Sequence, residues 1–177
     1  MAELIKSVFV DFNRLSYKDL LCIMAAVTWC FADLHVKFRT RSWWRIGVAM
    51  LLVAFSALVV YATVTSRGGG YTGAYNLIPF HSYREVRNGG NPEIYRSNLM
   101  NVVMLYPCGL MAAALLPDKM RSWKKVFLVT VLFFLFSAGI ETFQYIYRLG
   151  RVEIDDVIHN TLGALLGSLF GSMKHDR

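Results

Sequence analysis

Glu141 stands in a mixed segment at the end of a long apolar run, where an ionised carboxylate needs a partner or water. Gln144 follows three residues later and Arg148 a further turn later, so the three side chains share roughly one face of a helix. They could form an ion pair at a membrane surface, or they could line a polar pocket that faces the interior of a helix bundle. In a pocket, the carboxylate could bind a ligand or act as a general acid or base.

Two adjacent acids, Asp155 and Asp156, precede the last apolar run of the chain. Carboxylates in a first helical turn accept free backbone N–H groups, so one interpretation is that they cap the helix that begins there. One acid is enough for a cap, and Arg151 and Asn160 add further polar groups on either side. We therefore expect these four residues to join the polar pocket around Glu141.

A metal site is the alternative for part of this cluster. His159 follows Asp155 by four residues, and these two side chains with Glu141 would supply oxygen and nitrogen ligands. Such spacing is common by chance, so we expect neither a metal nor another cofactor.

Asn101 lies one turn inside another apolar run, and its amide needs a hydrogen-bond partner within the bundle. Asn98, just before it, is placed to cap the N-terminus of that helix. Pro107 removes one helical hydrogen bond and should kink the helix, and Gly109 allows a neighbouring helix to approach. These residues predict a kinked helix that packs closely against a neighbour.

Glycines recur every four residues in the last apolar run, at Gly163, Gly167 and Gly171. Small residues at this spacing let two helix backbones approach closely in a membrane. The seam could pack within the monomer or form the contact of a homodimer.

The long loop at residues 65–97 is rich in glycine and contains the apolar sequence NLIPF. Apolar side chains in an exposed loop should dip back towards the membrane or cover the ends of helices. We therefore expect Asn76, Pro79 and Phe80 to lie beside the polar cluster.

Helices formed by the apolar runs must position these residues. Four of the runs are long enough, as helices, to cross a hydrocarbon core of about 30 Å. These four cover residues 46–64, 100–116, 126–147 and 157–173. A fifth run, residues 20–36, could span the membrane or lie on its surface, and residues 1–12 have the spacing of an amphipathic surface helix. The expected fold is all-α: a polytopic membrane helical bundle of four core transmembrane helices plus a fifth, N-terminal helix.

The distribution of charge predicts the orientation. The chain is 55% hydrophobic with a formal net charge of +7, and its cations cluster at the ends of apolar runs, as topology determinants do, so we expect no nucleic-acid partner. The densest clusters, before residue 46 and in residues 117–125, should be cytoplasmic, which puts residues 66–97 and 147–156 outside. The chain then divides into an N-terminal segment, a membrane domain and a cytoplasmic tail, at residues 1–45, 46–173 and 174–177.

In their order and spacing, these features resemble the VanZ-like family over residues 46–173. The matching features are, in chain order, NLIPF, Asn101, Pro107, Gly109, Glu141, Gln144, Arg151, Asp155, Asp156, Asn160, Gly163 and Gly167. The resemblance implies a small multi-pass protein of the bacterial cell membrane. Because the member that gives the family its name is associated with teicoplanin resistance, the resemblance also implies resistance to lipoglycopeptides of that type.

Two functions fit the polar cluster. It could bind an amphiphile at the outer leaflet, such as a lipid-linked cell-wall precursor or the acylated glycopeptide itself, and so keep the drug from its target. The rival is a membrane-embedded enzyme that modifies a lipid head group or wall precursor through an acidic residue, although the sequence contains no recognisable Ser/His/Asp or Cys/His nucleophile set. The expected partners are the phospholipid bilayer and this ligand, for a monomer or a homodimer. The candidate ligand-binding residues are Asn76, Pro79, Phe80, Asn101, Glu141, Gln144, Arg148, Arg151, Asp155, Asp156 and Asn160.

Overall fold

The computed structural model describes residues 16–65, 75–149 and 151–173, which are almost entirely helical. The helices are, in chain order, α1 Tyr17–Phe38, α2 Ser42–Thr65, α3 His81–Arg87, α4 Glu93–Leu115, α5 Ser122–Tyr147 and α6 Ile154–Gly171. A short parallel ladder pairs β1, Tyr75–Asn76, with β2, Val152–Glu153. The all-α class and the membrane bundle are confirmed. Three predicted features lie outside the described residues: the amphipathic stretch, the glycine-rich part of the long loop and the tail, at residues 1–12, 66–74 and 174–177.

Four helices of the described chain, α1, α2, α4 and α5, are long and apolar enough to cross a membrane by length and composition. The run at residues 20–36 belongs to this set because α1, which contains it, is apolar and has 22 residues. The helix begins with a capping box of Ser16 and Asp19. A helix of that length measures about 33 Å, enough to cross a hydrocarbon core of about 30 Å.

The helix α6 contains most of the run at residues 157–173, which was expected to span the membrane. Its composition differs from that of α1, α2, α4 and α5. It has 18 residues and is not among the described helices that are apolar enough to cross a membrane. Its first two turns contain four buried polar side chains, Asp155, Asp156, His159 and Asn160. A helix with so many buried polar groups is held by neighbouring helices rather than by lipid.

The start of α4 differs from the prediction. The helix begins at Glu93 with Pro92 in the N-cap position, so Asn98 lies inside it and does not cap it. The apolar run marked only the part of the helix that faces the core, and the polar residues before it continue the same helix. Pro107 also lies within α4, which continues to Leu115; the kink expected at Pro107 stays a prediction.

The helix α4 is the centre of the bundle. It packs along α6 and also contacts α1, α2, α3 and α5. Small and aliphatic side chains of these helices form the core, where Leu105, Cys108 and Ala113 of α4 are fully buried together with Ala164 of α6. Small residues at this contact bring the two helix axes close together, which leaves no room for lipid between them.

The glycine seam of α6 packs against α4 within the same chain. A Cβ atom at Gly163 would overlap the carbonyl oxygen of Val102, and one at Gly167 would overlap that of Tyr106. The same interface contains Gly109 and Gly171. Packing within the monomer, one of the two expectations for this seam, is therefore what the structure shows.

Polar groups lie at two opposite ends of the bundle. At one end, Arg45 Nη2 donates a hydrogen bond to the carbonyl of Leu115 at 3.0 Å, and Lys125 Nζ donates to that of Leu116 at 3.1 Å. These carbonyls end α4, where cations are favourable. We call this the basic end; it comprises residues 38–45, 115–125 and 172–173. The opposite end, which we call the ladder end, comprises β1, β2, α3, the last turns of α5 and the first turns of α6.

Candidate functional site

Glu141 lies in the last turns of α5, at the ladder end, and is 6% exposed. Its Oε2 atom accepts a hydrogen bond from the backbone N–H of Glu153 at 3.2 Å. Glu153 belongs to β2 and is also the N-cap position of α6, a helix that has no side-chain cap. The Glu141 carboxylate therefore fixes the point where the ladder ends and α6 begins.

Gln144 lies one turn further along the same face of α5 and is fully buried. Its Nε2 atom donates to the carbonyl of Thr63 at 3.0 Å, which ties the end of α5 to the end of α2. Its Oε1 atom is buried without a hydrogen-bond partner in the described part of the chain. Glu141 and Gln144 thus share a face, as predicted, and that face points into the bundle.

Asp155 caps a helix, but not the one expected. Its Oδ1 atom accepts from the N–H of Phe80 at 2.5 Å, and its Oδ2 atom accepts from the N–H and the hydroxyl of Ser82 at 2.8 and 2.5 Å. These donors begin α3, so the Asp155 carboxylate holds the first turn of α3 rather than that of α6. Asn98 Nδ2 donates to the Ser82 hydroxyl at 2.9 Å and completes the cluster.

His159 uses both ring nitrogens within the protein. Nδ1 lies 2.5 Å from the carbonyl oxygen of Asp155, and Nε2 lies 2.7 Å from the hydroxyl of Tyr83. A carbonyl only accepts, so Nδ1 carries the proton and, in the neutral ring, Nε2 accepts from Tyr83. This leaves no nitrogen for a metal, and the described residues contain no group of three or more His, Cys, Asp or Glu side chains that could hold one.

Two further amides connect the helices. Asn101 Nδ2 donates to Asp156 Oδ1 at 2.7 Å, which brings together two residues of the predicted cluster. Asn160 Nδ2 donates to the Ser137 hydroxyl at 2.9 Å and joins α6 to α5. Ser137 was not among the predicted residues, although its position four residues before Glu141 places it on the same helix face.

The two arginines expected in the cluster behave differently. Arg151 Nε lies 3.1 Å from Glu153 Oε1, so this side chain pairs with β2. Arg148 ends α5 in a left-handed conformation with φ 55°, and the N–H of Leu149 closes the helix on the carbonyl of Gln144 at 2.9 Å. The chain leaves the helix here, so Arg148 is exposed and does not continue the buried face of α5, contrary to the prediction.

The NLIPF segment lies at the ladder end, as expected. Asn76 forms part of β1, and its Oδ1 atom accepts from the N–H of Ile78 at 3.1 Å. The carbonyl of Pro79 accepts from Arg84 Nη2 at 2.8 Å. The backbone of Phe80 is held by hydrogen bonds while the residue is 54% exposed, so the segment presents apolar surface outward.

A groove of about 490 Å³, which we call the ladder groove, opens between the end of α5, the ladder and the start of α6. Apolar and aromatic side chains form most of its wall, including Leu77, Tyr145, Val152 and Val157. Glu141 lines it too and is, among the described residues, the one member of the predicted cluster that does. The other members make the contacts given above and do not line the groove.

Comparison with protein families matches the chain to the VanZ/LLP1 family over residues 42–174. Comparisons with curated proteins and with solved structures gave no match. The matched range covers α2 to α6, the ladder and every residue of the predicted polar cluster. With its apolar helices and this match, the chain is a multi-pass membrane protein that belongs to the VanZ/LLP1 family.

Proposed function

We propose that this protein binds an amphiphile in the ladder groove, at the outer face of a bacterial cell membrane, and thereby contributes to resistance to teicoplanin-type lipoglycopeptides. The observation that carries the proposal is the groove itself, in which a buried carboxylate, Glu141, lies at a largely apolar surface. Its volume of about 490 Å³ is in the range of small-molecule sites, which combine apolar walls with a few placed polar groups.

The chemistry of the wall selects the ligand class. An acyl or polyprenyl chain fits the apolar side chains, and the Glu141 carboxylate can accept hydrogen bonds from sugar hydroxyls or an amine in the head group. Arg84, Arg87 and Arg148 are exposed at the same end and suit a phosphate or carboxylate outside the groove. A lipid-linked cell-wall precursor and an acylated glycopeptide both combine these parts.

The orientation follows from the charge of the opposite end. Cations are dense at the basic end, and positively charged segments of membrane proteins remain in the cytoplasm. The cluster comprises Arg39, Arg41, Arg45, Lys119, Arg121, Lys124 and Lys125. With the basic end inside, the ladder groove faces the outer leaflet, where wall precursors and glycopeptides meet.

Native mass spectrometry of gently solubilised protein tests the binding. We expect a copurifying amphiphile on the wild-type protein and its loss in Glu141→Gln, because the amide keeps the shape of the side chain but removes its charge. Glu93→Gln is the matched control, since Glu93 is exposed at the same end and does not line the groove. The proposal fails if Glu141→Gln retains the same amphiphile in the same amount as the wild type.

A second candidate function is an enzyme that modifies such an amphiphile. The observation in its favour is that the Glu141 carboxylate is buried yet lines an open groove, a setting in which carboxylates act as general acid or base. Incubation of the protein with the copurified amphiphile distinguishes the two functions: an enzyme converts it and loses turnover in Glu141→Gln, whereas a binding protein returns it unchanged.

A further inference from the structure

A second groove lies at the basic end, between the start of α5 and the end of α6, and we call it the basic-end groove. Its volume is about 580 Å³. The wall along the helices is apolar and includes Val126 and Phe127 of α5 with Leu165 and Leu169 of α6. Such an apolar groove between two helices matches the shape and chemistry of an acyl chain.

Two hydroxyl groups of this groove have no hydrogen-bond partner among the described residues. Ser172 is 4% exposed and lines the groove, and its Oγ atom has no partner among the described residues. The same is true of the buried Oγ1 atom of Thr130, which lies further along the wall. A buried hydroxyl is normally hydrogen-bonded, so both atoms indicate that a group outside the described residues completes the site.

The polar end of the groove is the N-terminus of α5. Arg121 occupies the N-cap position, and its side chain accepts no hydrogen bond from the first turn. Free N–H groups at a helix start attract anions, and here two exposed cations, Arg121 and Lys124, flank them. Trp123 is 61% exposed with the Lys124 ammonium 5.5 Å from its ring, a pair typical of the membrane interface.

We propose that the basic-end groove binds an anionic phospholipid from the leaflet at that end of the bundle. The phosphodiester lies at the start of α5, where the helix N–H groups, the Ser172 hydroxyl and the two cations can contact it. One acyl chain occupies the apolar wall, and the Thr130 hydroxyl can donate to an ester oxygen. The apolar length of the groove favours a lipid over free phosphate, and the site is independent of the ladder groove and of the proposed function.

Fluorescence quenching in vesicles tests this site. A variant with Trp29→Phe, Trp43→Phe and Trp44→Phe keeps Trp123 as its one tryptophan. It is reconstituted in phosphatidylcholine vesicles that contain a small, equal fraction of brominated phosphatidylglycerol or brominated phosphatidylcholine. We expect phosphatidylglycerol to quench Trp123 several-fold more strongly, because it is enriched in the groove beside this side chain. Equal quenching by the two lipids would overturn the proposal.

Charge variants separate a defined site from diffuse attraction. Arg121→Gln with Lys124→Gln should lower the apparent affinity for phosphatidylglycerol more than about tenfold, since each cation that contacts the phosphodiester loses a charge-assisted hydrogen bond. Arg39→Gln with Arg41→Gln removes the same charge at the same end, away from the groove, and should change the affinity much less. An equal loss in both double variants would show diffuse attraction only and would refute the site.

Native mass spectrometry provides a check that leaves the other tryptophans in place. The wild-type protein, delipidated and then mixed with equal amounts of both lipids, should retain phosphatidylglycerol in preference to phosphatidylcholine. Ser172→Ala should lower the amount of phosphatidylglycerol that is retained, because it removes a hydroxyl donor beside the phosphodiester. Retention of the two lipids in equal amounts by the wild-type protein would also refute the proposal.

Discussion

Asp155 is the side chain on which the position of α3 most directly depends. Its carboxylate accepts from two backbone N–H groups and one hydroxyl of Phe80 and Ser82. Phe80 has a φ of 59°, a left-handed conformation that a bulky residue adopts only when its surroundings enforce it. The carboxylate supplies that constraint because it accepts hydrogen bonds from the backbone N–H groups of both Phe80 and Ser82.

Asp155→Asn should therefore lower the stability of the protein. The amide can keep one acceptor oxygen, but its NH₂ group faces donors, so at least one buried N–H or O–H loses its partner at a cost of about 1–3 kcal/mol. Thermal unfolding in detergent measures the change. Asp118→Asn, an exposed acid at the basic end, is the control and should leave the unfolding midpoint unaltered. Equal midpoints for wild type and Asp155→Asn would contradict the role given to this carboxylate.

Glu141→Gln should abolish resistance to an acylated glycopeptide without lowering the amount of protein in the membrane. The amide can still accept from the N–H of Glu153, so the start of α6 is kept, while the charge at the ladder groove is lost. Growth inhibition by an acylated and a non-acylated glycopeptide, with quantified membrane protein, measures this. Full resistance in the variant would show that Glu141 has a structural role only.

Part of this residue-level detail could be predicted from the sequence. The need of Asn101 for a partner in the bundle could be predicted, because a polar group inside a membrane helix must be hydrogen-bonded, and the partner is Asp156. The partners of Asp155 were not predictable, because backbone N–H groups some 75 residues away carry no signal of their own. Arg148 was misplaced because an αL helix end at a non-glycine residue has no clear sequence signal.

Among the elements, the contact of α4 with α6 has the tightest packing requirement. At Gly167, a Cβ atom would overlap the backbone of α4, whereas at Gly139 of α5 a Cβ atom would have no neighbour within 4 Å. The two glycines therefore form a matched pair that differs in the space available.

Gly167→Ala should destabilise the bundle and Gly139→Ala should not. Overpacking at a close helix contact costs about 1–3 kcal/mol, whereas alanine in an open helical position gains up to about 1 kcal/mol over glycine. The amount of folded protein in the membrane and the unfolding midpoint in detergent both report the difference. If the two variants behaved alike, the close contact of α4 with α6 would not be a stability determinant.

The seam could be predicted because glycine at every fourth position has one main use in membrane helices. The helix against which the seam packs could not be predicted, because packing within one chain and packing between two copies require the same spacing. The start of α4 was misjudged because hydropathy locates the buried part of a helix rather than its ends. The run at residues 20–36 was ambiguous for the same reason, and the helix that begins after the capping box at Ser16 is long enough to cross a membrane.

For the whole molecule, the testable property is which end faces the cytoplasm. We expect a membrane-impermeant maleimide to label Asn88→Cys on intact cells, and to label Arg121→Cys only after the membrane is opened. Both positions are exposed, one at the ladder end and one at the basic end. Exposed Cys22 and Cys30 must first be replaced by serine. Labelling of position 121 but not of position 88 from outside would reverse the orientation and place the ladder groove in the cytoplasm.

The parallel pairing of β1 with β2 has a consequence for the time at which the ladder groove is completed. Tyr75 pairs with Val152, and Phe80 is held by Asp155, so neither contact exists until the ribosome has reached the start of the last helix. Until then, the NLIPF segment has neither its ladder partner nor its Asp155 contacts, although two long apolar helices have been synthesised after it. Contacts so distant in the chain form late. During biogenesis, the ladder groove is therefore completed only after residues 152–157 have been added, so a chain that ends before them would lack the site proposed for the ligand.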